Sequence, residues 1–127
     1  MLFRSDLGKD ILTIYKRASN ILDQEKKTID SKITGEPNSI LFNKEEEKLL
    51  FNQINEVRKY FSSVIKNENY EKTLEILSGA KKTTDNFFEN VVVNDENENM
   101  KKNRLELLEM FCNTFDNFID FSKIEGA

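Results

Sequence analysis

The residues of this sequence that could do chemistry are bounded first by what is missing. There is no histidine, which removes the commonest general base and metal ligand together. Cys112 is the single cysteine, so there is no disulfide framework and no thiolate metal cluster. Flanked at helical spacing by Leu108 and Phe115, it reads as a small buried hydrophobe and not as a reactive thiol. No glycine-rich phosphate loop is present. The acidic triplet Glu45-Glu46-Glu47 could be pictured around a metal, but acids in a first helical turn ordinarily complement the helix dipole. The sequence therefore offers no catalytic residue, no metal site and no cofactor site of its own.

The basic residues carry more information. On a wheel of about 100° per residue, Lys9, Lys16, Asn20 and, if the helix extends, Lys27 fall opposite an apolar face centred near Ile11 and Ala18. Arg17 lies at the border of that face. Lysine and arginine neutralise phosphates, while asparagine can read a base edge or a sugar. The alternative is an ordinary solvated face. Lys101 and Lys102 sit outside the apolar arc of the last helix and also suit phosphates. Arg104 differs, because it falls near the middle of the arc made by Leu108, Phe111, Phe115 and Phe118. A cation there must reach solvent along its own stem or meet a carboxylate. Asp85 and Glu89 are the expected partners. The recurrent phenylalanines read as core before they read as a base-stacking platform.

These side chains need a scaffold, and the composition describes one. A length of 127 residues makes one domain, with enough chain for a modest core. One proline and four glycines leave long uninterrupted stretches that favour helices. The net charge of −4 counts against indiscriminate nucleic-acid binding but leaves room for a local basic patch. No apolar run approaches the roughly 20 residues of a membrane span, and the first residues, MLFRSDLGKD, have no signal-peptide core. They already follow a helical pattern, so the chain is expected to begin inside a larger protein.

Four or five helices are expected. The first spans about Ser5 to Asp23, with Leu7, Ile11, Ile14, Ala18, Ile21 and Leu22 on one face. Periodicity fades from Lys26 to Phe42, where Thr34-Gly35-Glu36-Pro37-Asn38 marks a loop. Asn43 is expected to cap a second helix whose core stripe is Leu50, Ile54, Val57, Phe61, Val64 and Ile65. Asn67-Glu68-Asn69 breaks it, and a short third helix carrying Tyr70, Leu74 and Leu77 stops at Gly79. Thr84 is expected to cap a fourth helix that includes Phe87, Phe88 and Val91. Asn94 or Asp95 caps a fifth that runs to about Phe121, with Ile119 on its inner side. The valines Val91, Val92 and Val93 read as a helix end or an extended corner packed into the core.

The stretch from Thr83 to Leu108, TTDNFFENVVVNDENENMKKNRLELL, resembles the C-terminal region of the β subunit of bacterial glycyl-tRNA synthetase. That family carries an Asp-x-Phe-Phe-Asp/Glu-x-Val-x-Val run, an acidic turn and an Asn-Arg-Leu-x-Leu-Leu helix start. Here those positions are Asp85, Phe87, Phe88, Glu89, Val91, Val93, Asn103, Arg104, Leu105, Leu107 and Leu108. The segment Lys16-Arg17-Ala18-Ser19-Asn20-Ile21-Leu22 is similar to the family's Lys-Arg-x-x-Asn-Ile-Leu run. The family's usual proline ahead of Asp85 is absent, and its Asp-Ala-Leu-Arg string is echoed only by Asn103-Arg104-Leu105.

The resemblance implies an all-α antiparallel bundle, an anticodon-binding domain of the Asp-Ala-Leu-Arg (DALR) type. Residues 1–127 would be a C-terminal fragment of a longer synthetase subunit. The parent enzyme would activate glycine with ATP and attach it to glycine tRNA in the cytoplasm. The fragment would grip the anticodon arm without a cofactor. Its partners would be that tRNA, the α catalytic subunit and the rest of the β subunit, with no membrane. Lys9, Lys16, Arg17, Asn20, Lys27, Lys101 and Lys102 are the expected tRNA contacts, and Asp85, Phe87, Phe88, Asn103 and Arg104 the structural residues. The anticodon domain of arginyl-tRNA synthetase is the near alternative. A helical subunit-interaction module is the alternative from another class.

Overall fold

The computed structural model of the chain describes residues 6–29, 32–63, 70–93 and 96–118. Among the described residues there are four long helices: α1 (Asp6–Glu25), α2 (Glu45–Ser63), α3 (Tyr70–Asn90) and α4 (Glu98–Phe118). Single 3₁₀ turns occur at Lys26–Thr28 and Ser39–Leu41, and no strand appears among the described residues. The expectations for Val64, Ile65, Asn67, Glu68, Asn69, Asn94, Asp95 and Ile119, and for the side chains of Leu7, Tyr70, Leu74 and Phe118, lie outside the described residues.

Each helix turns one apolar stripe inward. Ile11, Ile14, Ala18 and Leu22 of α1 meet Leu50, Ile54 and Val57 of α2, Leu77, Ala80 and Phe87 of α3, and Leu105, Leu108, Phe111 and Phe115 of α4 in one core. The spacing of three and four residues is what puts these side chains on one face of each helix. α4 is enclosed around most of its circumference. Nearly every residue from Lys101 to Phe115 is buried, including the charged Lys101, Arg104 and Glu106.

Consecutive helices alternate in direction, yet they are not all neighbours. α1 and α2 each pack against both α3 and α4, so α1 faces α2 across a diagonal and α3 faces α4 across the other. The long connection over residues 26–44 therefore has to cross the outside of α4 to reach the start of α2. Ile33 and Phe42 anchor it in the core.

Three local expectations are corrected. The stretch read as two helices is one, α3, and it runs straight through Gly79 and Thr84. Gly79 is a close-approach point and not a stop. A Cβ there would sit 3.2 Å from Gln53 Nε2 of α2, and that nitrogen donates to the Ile76 carbonyl at 3.4 Å. Thr84 is buried mid-helix, where its hydroxyl donates to the Ala80 carbonyl at 2.6 Å. At the start of α2 it is the Glu47 carboxylate, not Asn43, that supplies the cap. It accepts from the Asn43 and Lys44 N–H groups at 3.4 and 3.2 Å, satisfying donors that have no partner inside the helix. The first turn of α4 is capped by Asn97, whose side-chain oxygen accepts from the Asn99 and Met100 N–H groups at 3.0 and 3.2 Å. Beyond Asn90 the chain turns as an extended corner, with Val91 and Val93 buried and Val92 outside.

Candidate nucleic-acid interface

The exposed stripe of α1 is built as the complement of its core face. Lys9, Thr13, Lys16 and Asn20 are all exposed, while Ile11, Ile14 and Ala18 between them are buried. At 1.5 Å rise per residue, Lys9 and Lys16 stand about 10 Å apart along the axis and Asn20 about 6 Å further on. The Thr13 hydroxyl folds back to the Lys9 carbonyl at 2.9 Å. Lys27 is exposed in the 3₁₀ turn that continues α1. Arg17 is exposed too, but its position is fixed: its guanidinium carbon lies 4.4 Å from the ring centroid of Phe88 on α3. A cation over an aromatic face is held by the ring quadrupole. Phe88 is half-buried and meets the fully buried Phe87 edge to face, with centroids 5.8 Å apart. On the same side Lys81 pairs with Asp85 at 2.8 Å, and this contact holds the Lys81 ammonium above its ordinary range.

The two lysines of α4 part company. Lys101 was expected to face phosphates and instead is 7% exposed. Its ammonium meets Glu25 at 2.8 Å and donates to the Thr28 hydroxyl. The connection after α1 folds back over α4, which a wheel of α4 alone cannot anticipate. Lys102 is half-buried beside Glu36, Asn38, Leu41 and Asn99, around a recess of about 210 Å³.

Arg104 is buried as its arc position demands, at 2% exposure, but its partner is corrected. One guanidinium nitrogen donates to Glu47 of α2 at 3.1 Å and another to the Val92 carbonyl at 2.7 Å. Asp85 is engaged by Lys81, and Glu89 is exposed. Glu47 shares the face of Leu50, Ile54 and Val57, so a wheel of α2 would have revealed it. Asn103 grips the connection from both sides, accepting from the Asn38 N–H at 2.6 Å and donating to the Asn38 carbonyl at 3.0 Å. One turn on, the buried Glu106 carboxylate accepts from the Thr34 and Gly35 N–H groups, each at 2.7 Å. Glu106 escaped sequence reasoning. No signal within α4 marks it, because its burial comes from the connection that folds across the helix.

Cys112 is buried, and desolvation pushes its thiol up from 9.0 to about 12. A thiol that holds its proton at neutral pH is a weak nucleophile. Among the described residues no group of three or more His, Cys, Asp or Glu could hold a metal, and no helix is long and apolar enough to cross a membrane.

Comparison with known proteins fits this geometry. Residues 11–125 match the DALR anticodon binding domain. The glycine–tRNA ligase β subunits of Rickettsia prowazekii and Rickettsia typhi are each 38% identical over 119 residues, 94% of this chain and 17% of theirs. That of Rickettsia africae matches to the same extent. The chain thus spans about a sixth of the length of these relatives. It belongs to the DALR anticodon-binding domain family.

Proposed function

We propose that this chain is the anticodon-arm-binding domain of a glycine–tRNA ligase β subunit, and that it grips glycine tRNA through the exposed stripe of α1. The observation that carries the reading is the pairing of family membership with a basic, asparagine-bearing face that packing does not use. Lys9 and Lys16 would neutralise phosphates, Asn20 would reach a base edge or sugar, and Arg17, held on Phe88, would offer a flat cation. The domain contributes binding and positioning, with no bond-making residue. ATP and glycine would bind elsewhere in the whole enzyme, which would pair this β subunit with a catalytic α subunit in the cytoplasm. The arginyl-tRNA synthetase alternative shares the fold, but the relatives quoted above all carry the glycine name.

The test is a Lys16→Glu, Asn20→Ala variant of the assembled enzyme. Both positions are exposed, so circular dichroism and the thermal midpoint should not move. Charging of glycine tRNA should weaken, and wild-type binding should fall with salt as counterions are released. Unchanged charging efficiency across a range of tRNA concentrations would make the stripe an ordinary solvated face.

A further inference from the structure

We propose that the recess between the 26–44 connection and the first turns of α4 receives one unstacked base of the bound RNA. This rests on the tRNA-binding reading above but concerns a different surface from the α1 stripe.

The walls of the recess are fixed from beneath. Asn103 holds the Asn38 backbone through two hydrogen bonds, and Glu106 holds the Thr34 and Gly35 N–H groups. Gly35 is locked at φ +86°, where a Cβ would meet Asn113 Nδ2 at 3.0 Å. The Asn38 side chain is committed as well, since it accepts from the Ile40 N–H at 3.0 Å. These polar groups are spent on shaping the loop. What remains around the opening is Glu36, Asn99 and Lys102, whose side chains make no hydrogen bond or ion pair among the described residues, and the apolar Leu41.

This donor and acceptor set suits a base better than a phosphate. A carboxylate and an amide oxygen accept from amino and imino N–H groups, while the amide and ammonium donate to ring nitrogens or carbonyls. The Glu36 carboxylate opposes a phosphate at the same place. Beside Leu41 in the chain, Ile40 is 87% exposed in a turn whose Ile40, Leu41 and Phe42 N–H groups donate back to Asn38 and Ser39. Ile40 does not itself line the recess, but an apolar side chain one residue from its Leu41 wall can cover the face of a base whose edge is inside. Bases splayed from single-stranded loops are the usual targets of sequence-specific RNA recognition.

The experiment uses the intact synthetase and two RNAs: glycine tRNA, and the same tRNA with its anticodon nucleotides made abasic. The abasic form keeps every phosphate. Wild type should bind it on the order of tenfold more weakly, or worse, because the recess loses the base-edge hydrogen bonds, each worth about 1 kcal/mol net. An Ile40→Ser, Asn99→Ala variant should bind the two RNAs more nearly alike than wild type does, with the salt slope of wild type. Lys102→Ala should narrow the gap between the two RNAs in the same direction. Melting midpoints near wild type confirm that these variants fold. By contrast, Lys16→Glu should flatten the salt slope and keep the wild-type ratio of the two RNAs. If the recess variants retain the wild-type ratio, the base site is wrong while the tRNA reading stands. If wild type does not bind glycine tRNA at all, the reading falls and takes the site with it. RNA binding that is unchanged while the recess variants shed a subunit on gel filtration would make this a protein contact and overturn the proposal.

Discussion

Replacing Arg104 with alanine tests the polar anchor at the centre of the fold. The side chain is 2% exposed, and it binds Glu47, which is 0% exposed, and the Val92 carbonyl. Removing one partner of a buried pair costs about 3–5 kcal/mol. Here the lower end applies, because the Glu47 carboxylate keeps two backbone donors, Asn43 and Lys44. A loss of about 3 kcal/mol in a chain of this size lowers the thermal midpoint by roughly 10 °C. Glu47→Gln should cost a similar amount, since it leaves the guanidinium facing a neutral amide. The double variant should lose less than the sum, because the pair is removed together. Lys16→Ala is the control, an exposed change expected to stay within about 0.5 kcal/mol. Urea midpoints of Arg104→Ala and Lys16→Ala that coincide would show that the buried Arg104–Glu47 pair does not hold the fold.

Lys101→Ala should also destabilise, by about 1–3 kcal/mol, because it leaves the Glu25 carboxylate without its cation; urea denaturation reads this directly. Cys112 should resist thiol reagents at pH 8 until the chain unfolds, with the rate of labelling rising through the urea transition. Its thiol is raised from 9.0 to about 12, and burial together with the Asp116 contact also raises the Tyr15 phenol from 10.0. The folded state therefore keeps both protons longer than the unfolded chain does. These two groups should leave stability flat through neutral pH and erode it above about pH 9, visible as a falling midpoint in alkaline melts. The two described glycines with close neighbours should respond oppositely. Gly35→Ala should destabilise by about 1 kcal/mol or more, because its φ of +86° strains any side chain. Gly79→Ala should be neutral or stabilising by up to about 1 kcal/mol, since only the flexible end of Gln53 must yield and a helix interior prefers alanine. Calorimetry of the pair gives both signs.

The helices α1 and α4 and their inner faces are legible from spacing alone, because Ile11, Ala18, Phe111 and Phe115 recur with the helical period. The exposed stripe is legible for the same reason, being the remainder once the apolar face is drawn. α3 is harder. Gly79 and Thr84 carry local preferences of about 1 kcal/mol for stopping and starting a helix, and packing of Leu77, Ala80 and Phe87 in the core outweighs them. The burial of Lys101 and Glu106 is not written in α4, because it depends on a connection some 70 residues earlier lying across that helix. Arg104 shows both sides. Its burial follows from its own helix, but its partner required knowing that α2, and not α3, adjoins α4.

That same crossing dictates an order of events as the chain is made. The amides of Thr34, Gly35 and Asn38 find their acceptors only on Asn103 and Glu106, 65–72 residues downstream. Contacts this distant in sequence form late. While synthesis proceeds, α1, α2 and α3 can emerge and begin to pair, but the connection between the first two has nothing to fasten to until α4 has left the ribosome. Hydrogen exchange at those three amides should therefore time the docking of α4. Loss of α4 would leave the Ile40 turn unfastened even with α1, α2 and α3 in place.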